Sequence, residues 1–129
     1  MKKDFALNDA FADYCGIELI DIGEGYAKTR LTLNDTHLNG LKMPHGAALF
    51  ALADVAFAAA ANYGGVPTVA INVNISYLKV AESKTIYAEA RELRPDGRIG
   101  SYRVTISDET GQSLAVFEGL GYRKFPPKA

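Results

Sequence analysis

The chain has 129 residues, of which 48% are hydrophobic and 22% charged, an ordinary composition for a globular protein with one sizeable core. Its formal net charge of −1 provides no field that would gather nucleic acid, and its single cysteine, Cys15, excludes an intrachain disulfide and suits a reducing compartment. The start, Met1-Lys2-Lys3-Asp4-Phe5, leads into no apolar segment of the signal-peptide kind, so a single cytoplasmic domain over residues 1–129 is expected.

In chain order, Leu7, Phe11 and Tyr14 fall at helical spacing, which predicts a short amphipathic helix over 4–15, stopped at Gly16, with these three residues as its packed face. Strands are predicted at Ile17–Ile22 and Tyr26–Leu33, joined by the hairpin turn Gly23-Glu24-Gly25. In the second strand Ala27, Thr29, Leu31 and Leu33 alternate with Lys28, Arg30 and Thr32, which marks one wet face. Asn34-Asp35-Thr36 then opens a polar loop that runs to His45. A helix is predicted from Gly46 to about Tyr63, where Asp54 is the only polar residue up to Ala61. The apolar run is too short to span a membrane and has an acid at its centre, so a buried helix is expected.

Beyond a Gly-rich turn, Val69, Ile71, Val73, Ile75 and Tyr77 alternate with Ala70, Asn72, Asn74 and Ser76 as a strand with one apolar face. Thr85–Leu93 and Ile99–Ser107 follow as strands, joined by the turn Arg94-Pro95-Asp96-Gly97-Arg98. The last strand runs over Ser113–Arg123, and the proline-bearing tail from Phe125 to Ala129 should fray. Strands in succession with short turns imply antiparallel pairing and an α+β class. A helix apolar nearly all round must be covered on most sides, which a curved antiparallel sheet of about five to six strands accomplishes.

Asp54 is the conspicuous residue, because a carboxylate is costly to bury as a charge. Either its face of the helix turns toward solvent or an interface, or the acid is kept for chemistry. The loop-to-helix junction decides between these. Residues 38–54 read L-N-G-x-x-x-x-H-G-A-x-x-x-x-L-A-D, which resembles the hotdog-fold acyl-CoA thioesterases, and among them the PaaI-like group. The likeness extends over about residues 12 to 124 and implies a long central helix wrapped by the curved sheet.

The resemblance also implies an activity, the hydrolysis of an acyl- or aryl-CoA thioester to the acid and coenzyme A. It casts Asp54 as the acid that activates water or attacks the thioester directly. Gly46 supplies a backbone N–H to the carbonyl oxygen, His45 orients the loop or binds near the thioester, and Asn39 positions the water or the carbonyl. A glycine is usual where this chain has Ala47, so Ala47 narrows the pocket or restricts the loop. Asn72 or Asn74 stands in for a hydroxyl that some members use to hold the water. Lys79 is a candidate to meet coenzyme A phosphate, as are Arg91 and Arg123. His37 lies outside the shared pattern and reads as a surface residue. Two histidines and one cysteine cannot build a closed metal site, and no cofactor beyond the coenzyme A of the substrate is expected.

One inference needs only spacing. Gly46 and Asp54 lie eight residues apart, about 12 Å along a helix axis, too far to touch one carbonyl group from a single chain. If both are catalytic, the site is shared between subunits of an isologous homodimer. The family's active sites, which lie at a dimer interface, agree, and a dimer of dimers is the further assembly expected. Neither a nucleic-acid nor a membrane partner is expected. Two rivals stand beside hydrolysis. A hotdog hydratase or dehydratase would need a differently placed His–acid pair, which is not seen. A non-catalytic acyl-CoA-binding protein would have little use for Asp54. Phe50, Phe57 and Tyr63 suit either aryl or medium aliphatic acyl groups.

Overall fold

The computed structural model describes residues 8–94 and 97–124. Leu7 and the start of the first predicted helix, Pro95 and Asp96 of the predicted turn, and the tail after Lys124 lie outside the described residues. The elements are helix α1 (Ala10–Cys15), strands β1 (Ile17–Gly23) and β2 (Tyr26–Thr32), helix α2 (Gly46–Asn62), and strands β3 (Thr68–Tyr77), β4 (Thr85–Arg94), β5 (Ile99–Asp108) and β6 (Ser113–Arg123). The six strands form one antiparallel sheet in the order β1-β2-β4-β5-β6-β3, and α2 packs on it as the hotdog resemblance implies. None of the described helices is long and apolar enough to cross a membrane.

Strand faces follow the period-2 rule where the register is regular. Ala27, Thr29, Leu31 and Leu33 are all buried, and so are Ile86, Ala88 and Ala90 on β4 and Val104 and Ile106 on β5. Small residues beneath α2 let the helix lie close to the sheet. A Cβ at Gly119 would meet the Phe57 ring at 3.1 Å, so glycine there makes room for that side chain. Phe57 in turn meets Tyr102 and Phe117 at ring-centroid distances of 5.3 and 5.8 Å. At the far end of the sheet Arg123 reaches Glu92 at 2.8 Å, both largely buried. Burial and the neighbouring Glu92 carboxylate push the Tyr102 phenol up to about 12.

Three features depart from the sequence reading. First, β3 and β4 follow one another in the chain yet are not neighbours, because α2 carries the chain across the sheet and β3 pairs with β6 at the edge. Second, the alternation of β3 is broken. The register against β6 shifts between Ala70 and Asn72, so Val69 lies opposite Tyr122 while Val73 lies opposite Gly119. Those partners are three apart, which puts Val69 and Val73 on opposite faces, and Ile71 is the extra residue of the bulge. Third, the predicted apolar face of α1 is turned outward: Phe11 is 61% and Tyr14 89% exposed, while Ala12 is buried. In six residues the helix is too short for spacing to define a face. Its orientation is set instead by its ends, the Asp9 cap that accepts from Ala12 N–H at 2.9 Å and the left-handed Gly16.

Candidate active site

The loop from Asn34 to His45 is built on local side-chain capping. Asn34 caps a short 3-10 turn over Asp35–His37, and the His37 ring completes the cap by accepting from Asn34 N–H at 3.0 Å. Nδ1 of His37 is thereby an acceptor, so Nε2 carries the proton and donates to the Cys15 carbonyl at 2.7 Å. His37 is buried, which corrects its reading as a surface residue. Its carbonyl accepts from His45 N–H at 2.7 Å, so one residue ties the end of α1 to the start of α2.

Asn39 organises the tip of the same loop. Its Oδ1 accepts from Leu41 N–H at 2.9 Å and Met43 N–H at 3.1 Å, and its own N–H donates to the Met43 carbonyl at 2.8 Å. Lys42, with φ of 63°, takes up the left-handed turn this requires. With Oδ1 committed, the Nδ2 amide hydrogens remain as donors.

His45 is the N-cap of α2, and its Nδ1 accepts from Ala47 N–H at 3.1 Å. An accepting Nδ1 leaves the proton on Nε2, so the cap requires a neutral ring. The His45 carbonyl takes Ala48 N–H at 2.9 Å and, more distantly, Leu49 N–H at 3.4 Å. Gly46 N–H is then left without a protein acceptor among the described residues, at the positive end of the helix dipole. Glycine is favoured here by packing and not by backbone angle: a Cβ would meet Cζ and the hydroxyl of Tyr77 at 3.1 Å, so the half-exposed ring would have to shift slightly. The Tyr77 hydroxyl donates to the Gly46 carbonyl at 3.0 Å.

Two clefts flank this helix start. One, of about 200 Å³, is apolar apart from Thr36 and the histidines, and Phe11, Ile17, Leu31, Ala47 and Ala51 are among its walls. His45 and Cys15 also face it. The outward-turned Phe11 thus finds its place as a cleft wall. The other cleft, of about 380 Å³, brings together Asn39, Gly46, Tyr77 and Lys79 with Leu49 and Val80. Lys79 is exposed, with Nζ donating to Gln112 Oε1 at 3.0 Å.

Asp54 lines neither cleft. It sits on the least covered side of α2, a partly buried stripe running through Ala47, Ala51, Asp54, Ala58 and Ala61 at intervals of three and four, while Leu52, Ala53 and Ala56 face the sheet. Its carboxylate has no hydrogen bond or ion pair within the described residues. Partial burial, and secondarily the Asp9 carboxylate, raise its pKa above the ordinary aspartate value. The helix runs unbroken from Gly46 to Asn62, so Gly46 and Asp54 stay about 12 Å apart along one axis.

The remaining sequence candidates separate clearly. Asn72 and Asn74 lie opposite Leu120 and Glu118, on the face of β3 away from α2, and line neither cleft. Arg123 is engaged by Glu92 and by the Gly97 carbonyl, each at 2.8 Å, and is not free to hold a phosphate. Arg91 lies over the Tyr26 ring at 4.7 Å, beside Glu89. Sequence reasoning misses two residues. The Asn34-x-x-His37 spacing is a capping signal that sequence does carry, whereas the closure of Tyr77 over Gly46 spans 31 residues and leaves no local trace. Among the described residues no group of three or more His, Cys, Asp or Glu side chains is placed to hold a metal ion.

Comparison with known proteins agrees with this architecture. The family model of the thioesterase superfamily matches residues 42–115, the span from the loop tip through α2, β3, β4 and β5 to the start of β6. The acyl-coenzyme A thioesterase PaaI of Escherichia coli (strain K12) is 34% identical over 117 residues, covering 90% of this chain and 84% of that protein. The solved structure of the E. coli PaaI protein from the phenylacetic acid degradation operon matches with a TM-score of 0.90 at 33% identity, over 95% of this chain and 89% of that one. A mutant of phenylacetic acid degradation protein PaaI from Thermus thermophilus matches with a TM-score of 0.84 at 32% identity, over 89% of this chain and 99% of that one.

Proposed function

The chain belongs to the thioesterase superfamily, and on that premise we propose that it is an acyl-CoA thioesterase whose site is assembled from two copies of α2. The observation that carries this reading is the state of that helix. At its start a backbone N–H is left free above a cleft, and eight residues on a carboxylate is left without a partner among the described residues.

In the reaction the thioester oxygen accepts from Gly46 N–H, with the Asn39 Nδ2 amide as a second donor from the same cleft wall. Donors fixed in advance at a developing oxyanion contribute about 3 kcal/mol each, because the transition state carries more charge there than the substrate does. Asp54 of the partner subunit is the base or nucleophile. As base it takes a proton from water while the water oxygen bonds to the carbonyl carbon. The tetrahedral adduct then collapses, the C–S bond breaks, and the thiolate leaves as coenzyme A when it regains the proton. Desolvation strengthens Asp54 for either role.

The two clefts suit the two arms of such a substrate. The apolar one, walled by Phe11, Ile17, Ala47 and Ala51, takes a compact acyl group, and the larger one directs the pantetheine arm past Tyr77 toward Lys79. Self-association is supported by the partly covered alanine stripe and by the edge position of β3, where Val69 and Ile71 are about half exposed.

The test is release of free thiol from acyl-CoAs of increasing acyl size, by the wild-type protein and by Asp54→Asn. Hydrolysis favouring compact acyl groups, lost in the variant, is expected. Full rate in Asp54→Asn would make the acid structural and overturn the mechanism, and tight binding of acyl-CoA without any turnover would favour a binding protein.

A further inference from the structure

The peptide unit between Gly46 and Ala47 is held at both ends. Its carbonyl accepts from the Tyr77 hydroxyl at 3.0 Å, and its N–H donates to His45 Nδ1 at 3.1 Å. The preceding peptide is held at its carbonyl by the Ala48 and Leu49 amides. Of the polar groups in this first turn, Gly46 N–H is the one left over. Glycine ordinarily leaves its neighbouring peptides free to pivot, since no side chain restricts φ and ψ. Here the restriction comes from outside: the Tyr77 ring stands 3.1 Å from where a Cβ would be, and its hydroxyl fixes the following carbonyl.

The chain of bonds is also polarised in one direction. A donor on an amide oxygen makes that amide's own N–H a better donor, so Tyr77 strengthens the bond from Ala47 to the His45 ring. We propose that Tyr77 is a positioning residue for the thioesterase reaction, clamping the Gly46–Ala47 peptide from β3 so that Gly46 N–H is held toward the carbonyl oxygen of the thioester. The inference rests on the reading of Gly46 as the oxyanion donor, and it adds a residue from the edge strand to a site otherwise carried by the loop and α2. Tyr77 is half exposed and lines the same cleft, so a direct contact with substrate is the alternative that the test must separate.

Tyr77→Phe keeps the ring beside Gly46 and removes only the hydroxyl. Loss of one clamping bond should lower kcat about three- to tenfold, the span of a single net hydrogen bond, with KM within about twofold and thermal stability nearly unchanged. In the same variant the backbone amide resonance of Ala47 and the ring nitrogens of His45 should shift in 15N spectra of the free protein, since the bond they share weakens. Wild-type kcat, or a loss carried wholly by KM, would overturn the positioning role, the latter by making Tyr77 a substrate contact. Unmoved Ala47 and His45 signals would overturn the clamp itself. Absence of thioester hydrolysis by the wild-type protein would instead defeat the functional reading, while the 15N spectra would still decide the clamp.

Discussion

The two ends of the functional segment differ in how complete they are. From Asn34 to Ala48 the capping side chains all have partners: Asn34 and His37 cap each other, Asn39 holds the loop tip, His45 caps α2, and Tyr77 closes over Gly46. Eight residues on, Asp54 stands among alanines with no partner in the described structure and with its pKa raised by burial. The first region is preorganised within one chain, at the level of local hydrogen bonding, and at the start of α2 it leaves the Gly46 N–H without an acceptor among the described residues. The second is left open among the described residues, where partial burial makes its ionised form a cost to the fold. Donors work by being fixed beforehand, whereas a carboxylate base works by being poorly solvated.

Asp54→Asn breaks the contrast most severely. On the proposed mechanism, loss of the acid should lower kcat by about 10²- to 10⁴-fold. The same change should raise stability at neutral pH. The folded state holds Asp54 above its ordinary value of 3.8, so the fold favours the protonated acid and is progressively destabilised as pH rises from 3.8 through the raised value. The variant lacks this cost. Its Tm should equal that of the wild type at pH below 3.8 and exceed it at neutral pH, by calorimetry. A variant that is both inactive and less stable at neutral pH would show Asp54 to be a structural partner of some group.

Gly46→Pro attacks the preorganised end while preserving its architecture. Proline is favoured at the first position of a helix, and the φ of −67° and ψ of 136° at His45 suit the residue before a proline. The substitution removes the free N–H, and kcat should fall about 10²- to 10³-fold, as when one oxyanion donor is deleted. Gly46→Ala presents a similar Cβ to Tyr77 but keeps the N–H, and should lose only the few-fold that a displaced Tyr77 causes. Equal losses in the two variants would mean that crowding, not the donor, matters at this position.

Combining the two lesions asks whether the half-sites belong to different subunits. A heterodimer of Asp54→Asn and Gly46→Pro chains, isolated through two different tags, would have one intact site and one doubly broken site if donors and acid come from opposite subunits. About half of the wild-type rate per dimer is then expected, at least about 50-fold above either parent homodimer given the losses above. A heterodimer as inactive as its parents would place both halves in one chain.

These contrasts are unequally legible in the sequence. Asp54 is visible because a lone acid in a run of apolar residues is a local signal, and the face of β2 through Ala27, Thr29 and Leu31 is visible because period 2 needs no partner strand. The bulge at Ile71 is hidden, since an extra residue looks like continued alternation until β6 is laid beside it. His37 misleads for a related reason. Its capping of Asn34 is local, but its burial depends on the Cys15 carbonyl 22 residues earlier in the chain. Arg123 looks available in the sequence, yet Glu92, brought from β4, holds it. What spacing encodes within one element is readable. What two distant elements make of each other is not.

The least effect is expected at the rim of the larger cleft. Lys79 is exposed, and its present bond is to the neutral Gln112 side chain, so nothing among the described residues neutralises its charge by direct pairing. An exposed charge meeting a phosphate gains about 0.2–1 kcal/mol, which corresponds to a KM raised no more than about fivefold in Lys79→Ala, with kcat unchanged. Screening sharpens the expectation. Between roughly 0.01 M and 1 M salt the Debye length shrinks from about 30 Å to 3 Å, so the KM difference between wild type and variant should close as salt is added. On the proposed mechanism the losses at Asp54 and Gly46 come from groups desolvated in the shared site, and should persist at high salt. A salt-independent effect at Lys79, or one that lowers kcat, would assign it to the reacting end of the cleft and not to its rim.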